Sequence, residues 1–140
     1  MSTRTLSAED RVIGEIDKII KLLTLPPRAS RAVPQTASAE PLPEAERENS
    51  VRLMRVNHAG EVAAQALYQG QAITARDPQV KSALHAAAAE EIDHLAWCEL
   101  RLKELKGRPS LLNPFWYFGS LLLGALAGAL GDRASLISRQ

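Results

Sequence analysis

Apolar positions along this chain recur at helical rather than alternating spacing, and stretches rich in proline interrupt them. The longest pattern is Leu84, Ala87, Glu91, His94, Leu95, Cys98, Leu102 and Leu105. It predicts a helix from Pro78 to about Lys106, with basic residues in its last turns and Gly107 as its stop. A carboxylate and an imidazole, Glu91 and His94, sit in the middle of its apolar stripe. Burying an ionised carboxylate is costly unless it is paired or binds a metal. Glu90 and Asp93 are expected on other faces, in water, and His85 on the surface.

A second helix is expected from about Pro43-Glu44 to Arg76. Asp77-Pro78 then forms an N-cap followed by a first-position proline. Met54, His58, Glu61, Gln65, Tyr68 and Ala72 share one face of this helix, a mixture of polar and small side chains that leaves room for a cofactor. Glu61 lies roughly 16 residues before the turn, and Glu91 and His94 roughly 14 to 17 after it. At about 1.5 Å of rise per residue, an antiparallel hairpin brings all three to one height. One Glu facing a Glu-x-x-His is half of the arrangement with which four-helix bundles hold two metal ions. The plainer alternative places both acids at the bundle rim and makes His94 a satisfied core histidine. His58 reads as exposed or capping, with support of Glu61 the other option. Tyr68 either hydrogen-bonds in the site or is an ordinary buried tyrosine.

Ser7-Ala8-Glu9-Asp10 has the form of a capping box. It opens an amphipathic helix whose apolar face is Val12, Ile13, Ile16, Ile19, Ile20 and Leu23, stopped at Leu25-Pro26-Pro27. Docking on the bundle is the expected use of that face; membrane or partner-helix binding is the alternative. Residues 26–43, rich in Pro, Ala, Ser and Arg, read as a flexible linker. The division is thus helix 1–25, linker 26–43 and a partial helical domain 44–140.

From Pro109 to Gly131 the chain carries no charge. Phe115-Trp116-Tyr117-Phe118 leads this segment, with Lys103, Lys106 and Arg108 just before it. The helical part after Pro114 is expected to be about 16 residues, a little short of the ~20 that span a bilayer. An apolar helix dipping into a membrane interface fits this pattern, and a core helix of a larger bundle is the alternative. Gly124-x-x-x-Gly128 permits close helix packing, although such spacing is common by chance.

Composition changes this picture little. A net charge of +1 gives no electrostatic case for nucleic acid. The single cysteine, Cys98, one turn beyond His94, reads as core and excludes an internal disulfide. The mixed-charge N-terminus lacks the continuous apolar run of a secretory signal, so a bacterial protein exposed to the cytosol is expected.

Arg55-Val56-Asn57-His58-Ala59-Gly60-Glu61, followed thirty positions on by Glu90-Glu91-Ile92-Asp93-His94, resembles the demethoxyubiquinone hydroxylase family. The likeness continues through Ala66-Leu67-Tyr68-Gln69-Gly70-Gln71, Leu95-Ala96-Trp97-Cys98, Arg108-Pro109-Ser110-Leu111-Leu112-Asn113-Pro114 and Gly131-Asp132-Arg133-Ala134-Ser135-Leu136. The resemblance implies an all-α, ferritin-like helical bundle with a di-iron site. By it, Glu61 ligates one iron, Glu91 bridges both and His94 ligates the first, with no catalytic group beyond these metal ligands. It also implies O2-dependent hydroxylation of a polyprenyl benzoquinol in ubiquinone biosynthesis. NADH is the implied electron source, and the cytoplasmic face of the cell membrane the implied location, held peripherally by Leu111 to Leu130.

Members of that family continue with a further Glu helix and a second Glu-x-x-His, whereas the likeness here fades at Ile137-Ser138-Arg139-Gln140. The expectation is therefore the N-terminal half of such a bundle. Two chains about a two-fold axis would supply the full ligand complement. A non-catalytic membrane-attached scaffold for other ubiquinone-biosynthesis proteins, and a small metal-binding dimer, are the competing readings.

Overall fold

The structure, a computed structural model, describes residues 7–34 and 41–137. Its described residues form four helices and no strand: α1 (Ala8–Thr24), α2 (Glu44–Thr74), α3 (Pro78–Glu104) and α4 (Asn113–Ile137). This all-helical architecture is consistent with a ferritin-like bundle.

Local chemistry sets the ends. Ser7 caps α1 through a complete capping box, its Oγ accepting from Asp10 N at 3.1 Å while Asp10 Oδ2 accepts from Ser7 N at 3.0 Å. Asp77 caps α3, its carboxylate accepting from Gln79 N at 2.8 Å, with Pro78 at the first helical position. α2 ends at Thr74 rather than Arg76, because the chain turns extended at Ala75 to reach that cap.

α3 ends at Glu104, and its stop differs from the expected glycine stop. Lys106, not Gly107, takes the left-handed conformation, at φ 56°. Gly107 N bonds back to Leu102 O at 2.7 Å and Lys106 N to Lys103 O at 3.0 Å, the paired bonds of a Schellman ending. Gly107 is needed for space instead: a Cβ there would lie 2.7 Å from Val51 Cγ1. This contact, with the Arg47 guanidinium donating to Leu105 O at 2.6 Å, joins the start of α2 to the end of α3. The two helices are therefore antiparallel.

α4 runs parallel to α2, with Asn113 beside His58 and Gly124 beside Leu67. Backbones touch along this seam. A Cβ on Gly124 would collide with the Leu67 carbonyl, and one on Gly70 would come within 2.8 Å of Ala125 N. Thr74 Oγ1 donates to Ala125 O at 2.9 Å. The Gly124/Gly128 spacing, common by chance, is here a real contact surface. α4 is also longer than expected. The stretch Asn113–Gly131 is long and apolar enough to cross a membrane by length and composition, and only 11% of its most apolar window is buried.

The core gathers Val62 and Ala66 of α2, Leu95 of α3 and Tyr117 of α4, with Ile19 and Leu22 of α1 packed against it. α1 docks, but by a narrower sector than its apolar stripe. Glu15 in its first half accepts from Gln69 Nε2 of α2 at 3.1 Å, and Ile19 and Leu22 of its second half reach the core. Val12, Ile13, Ile16 and Ile20 consequently remain exposed; the Leu23 side chain lies outside the described residues.

Candidate metal centre

Glu61 on α2 and Glu91 and His94 on α3 come together as the antiparallel level match requires. One ligand atom from each lies within 4.8 Å of the other two. His94 Nδ1 is 2.9 Å from Glu91 Oε2 and 3.7 Å from Glu61 Oε2, so the ring nitrogen faces both carboxylates. The side chains are half-buried, at 28% (Glu61), 16% (Glu91) and 39% (His94) exposure, and accessible from outside the hairpin.

Two acids this close resist joint ionisation. Burial first, and then the neighbouring Glu91, push the Glu61 carboxyl up to about 7, against the opposing pull of His94. A cation among the three donors would relieve that crowding. Carboxylates with an imidazole suit iron or manganese, and three donors leave coordination positions open. The residues fit a transition metal.

The surroundings differ from expectation at several points. Asp93 is not wet; it is 3% exposed on the far side of α3. Its carboxylate accepts from Ser30 N at 2.5 Å, from Ser30 Oγ at 3.0 Å and from Arg31 Nε at 2.6 Å. The Arg31 bond and then those from Ser30 hold its pKa down at about 2. Ser30 and Arg31 belong to the segment expected to be a flexible linker, so its described first part is tied across α3; residues 35–40 lie outside the described residues. Arg31 also sits 5.4 Å over the Trp97 ring, and Trp97 in turn lies 5.4 Å from His94. The arm before α2 thus backs the helix that carries His94. Trp97 sharing the Asp93 face at i+4 was the available signal, because a tryptophan on a supposedly wet face asks for a cover.

His58 is neither exposed nor a cap. It is 4% exposed and bonded to Asn113, because the parallel packing of α4 brings the start of that helix over it. Tyr68 is half-buried and makes no hydrogen bond in the site among the described residues. His85 is half-buried and lines a cavity beside α1 rather than lying on the surface. The Cys98 thiol, raised by burial and by the charge of Glu61, is near the trio but not one of the three grouped donors. A buried chain of Gln69, Gln65 and Tyr117, with Tyr117 OH donating to Gln69 Oε1 at 2.9 Å and half-buried Glu15 at its outer end, went unforeseen.

Over 136 residues the chain is 56% identical to a protein of Legionella pneumophila (strain Lens) named 3-demethoxyubiquinol 3-hydroxylase, covering 95% of this chain and 64% of that protein. Proteins of the same name from Chromobacterium violaceum and Dechloromonas aromatica are 56% and 53% identical over 128 residues, covering 91% of this chain and 62% of theirs. The chain spans somewhat less than two thirds of the length of these curated relatives. No solved structure matches it. The family model described as "Ubiquinone biosynthesis protein COQ7" matches residues 48–139, which include most of α2, all of α3 and α4 and the three grouped donors, and the chain belongs to that family.

Proposed function

We propose that this chain serves O2-dependent hydroxylation of a polyprenyl demethoxyubiquinol ring in ubiquinone biosynthesis, through iron held by Glu61, Glu91 and His94. The observation that carries the reading is the convergence of these three side chains from two helices onto one point, within a chain whose relatives bear a hydroxylase name. Bound iron would supply oxygen activation.

The chain's own residues supply position and environment. Glu61 and Glu91 present charge from opposite helices, and His94, tied to Glu91, points its Nδ1 between them. Arg31 and Trp97 brace the His94 side of α3 from behind. The helical unit from residue 44 onward carries the metal face, with α1 and its linker as an arm across it. The apolar outer face of α4 (Phe115, Phe118, Leu122, Leu126) suits peripheral attachment to a membrane that stores the lipid substrate. NADH is the proposed ultimate reductant, and the cytoplasmic membrane face the proposed location.

A second reading draws on the exposure of His94. Its open side leaves room for donors from a second copy of the chain, making a metal-binding dimer about a two-fold axis. A non-catalytic scaffold is the outcome if no iron binds.

Anaerobic reconstitution with iron separates these readings. Iron uptake with O2 consumption dependent on a short-chain demethoxyquinol is expected. Glu91→Ala and His94→Ala should each lower iron content at least about tenfold while leaving far-ultraviolet circular dichroism unchanged. Undiminished iron in both variants would remove these residues as ligands. Iron uptake without quinol turnover would leave the dimer reading alone.

A further inference from the structure

The arm between α1 and α2 reaches the metal donors through a short relay of side chains. At its outer end Arg31 Nε and the Ser30 N–H both donate to the Asp93 carboxylate, at 2.6 Å and 2.5 Å. The Arg31 guanidinium also stands 5.4 Å over the Trp97 ring. Trp97 shares the Asp93 face one turn on. Its ring centroid lies 5.4 Å from that of His94, within the range of ring contact. His94 Nδ1 in turn faces Glu91 Oε2 at 2.9 Å and Glu61 Oε2 at 3.7 Å. Arm, indole, imidazole and carboxylates follow one another without a gap.

Hydrogen bonds alone leave both rings loosely held. Among the described residues His94 has one, to Glu91. Trp97 Nε1 is buried without a partner, so the place of the indole depends on what packs against it, the Arg31 guanidinium included. A metal ligand already held in place gives up less freedom on binding, and the metal binds more tightly for it.

We propose that the arm of residues 26–34 is a strap on the metal centre, with Trp97 as the positioning residue that carries its effect to His94. A docked arm tightens the site for a divalent cation, and a bound cation tightens the arm; by linkage one factor governs both. This rests on the metal reading above and adds a coupling that the reading itself does not need. The sign of the effect separates a strap from simple charge. Arg31→Ala removes a cation and leaves the Asp93 carboxylate, next in sequence to His94, without its counter-charge. Electrostatics alone makes that variant bind a divalent cation more tightly; release of the strap makes it bind more loosely.

The test measures Mn(II) affinity of the full-length chain from the electron-spin signal of free Mn(II), and amide exchange at Ser30 with and without saturating Mn(II). Arg31→Ala is expected to bind Mn(II) about fivefold or more weakly than the wild type, and saturating Mn(II) to slow exchange at wild-type Ser30 by a similar factor. Trp97→Ala should lose affinity as Arg31→Ala does, whereas Trp97→Phe, which keeps a ring beside His94, should retain most of it. Because the two residues act in series, Arg31→Ala/Trp97→Ala should bind no more weakly than Trp97→Ala alone. Should Trp97→Ala unfold, Arg31→Ala, at an exposed position, still decides. Equal or tighter Mn(II) binding by Arg31→Ala, or Ser30 exchange indifferent to Mn(II), would each overturn the strap and leave the three donors standing as ligands. A wild-type chain that takes up no Mn(II) overturns the metal reading, and the strap falls with it.

Discussion

Asp93 ties a segment more than sixty residues away to the back of α3, and charge makes the tie effective. Its carboxyl titrates at about 2 in the fold against an ordinary 3.8. The folded chain therefore binds fewer protons than the unfolded chain between those values. The contribution to stability is whole above about pH 4 and is lost as the pH falls through about 2. Asp93→Asn keeps the shape and removes the charge. Amide exchange at Ser30 should quicken about tenfold or more in the variant, and the loss of protection expected of the wild type between pH 4 and pH 2 should flatten. Exchange followed by mass spectrometry on peptides covering residues 26–34 measures both. The tie was illegible in the sequence for a plain reason. Helical spacing reports which residues share a face, but not what arrives from elsewhere in the chain to cover it. Glu61, Glu91 and His94 were legible because local rules alone fix them: the Asp77-Pro78 cap sets the turn, and rise per residue sets the level.

Among the elements, α4 shows the same division. Its existence followed from the uncharged run 109–131, and its exposed apolar face from the absence of any polar stripe. Its partner did not follow. The seam on α2 is made by glycines whose significance depends on which helix faces them, and spacing alone does not give that. Gly124→Leu should separate the helices, because the new side chain would meet the Leu67 carbonyl. A loss of about 1–3 kcal/mol or more is expected, read from urea unfolding at unchanged slope. Gly119→Ala, on the same helix with nothing within 4 Å of its Cβ, should be near neutral and serves as the control. His58 belongs to this lesson too. Its burial could be known only once α4 was seen to lie parallel to α2, with Asn113 at the same end.

At the scale of the whole molecule, two helices carry oily outer faces. Leu122, Leu123, Leu126 and Leu130 of α4 lie exposed, as do Val12, Ile13, Ile16 and Ile20 of α1. On α4 alone, Phe115, Trp116, Phe118 and these leucines make an exposed apolar face rather than scattered surface leucines. Wild-type protein should float with liposomes of bacterial polar lipid, and the double variant Leu122→Asp/Leu126→Asp should remain in the dense fraction. Equal flotation would reject attachment through α4. The placement of α4 also has a mechanical corollary. The greasy rod is fused backbone to backbone with α2, the strut bearing Glu61, and forms no comparable seam with α3, which bears Glu91 and His94. On the proposed attachment through α4, a tilt of that rod would reach Glu61 directly through α2, and Glu91 and His94 only through the packing of α2 on α3.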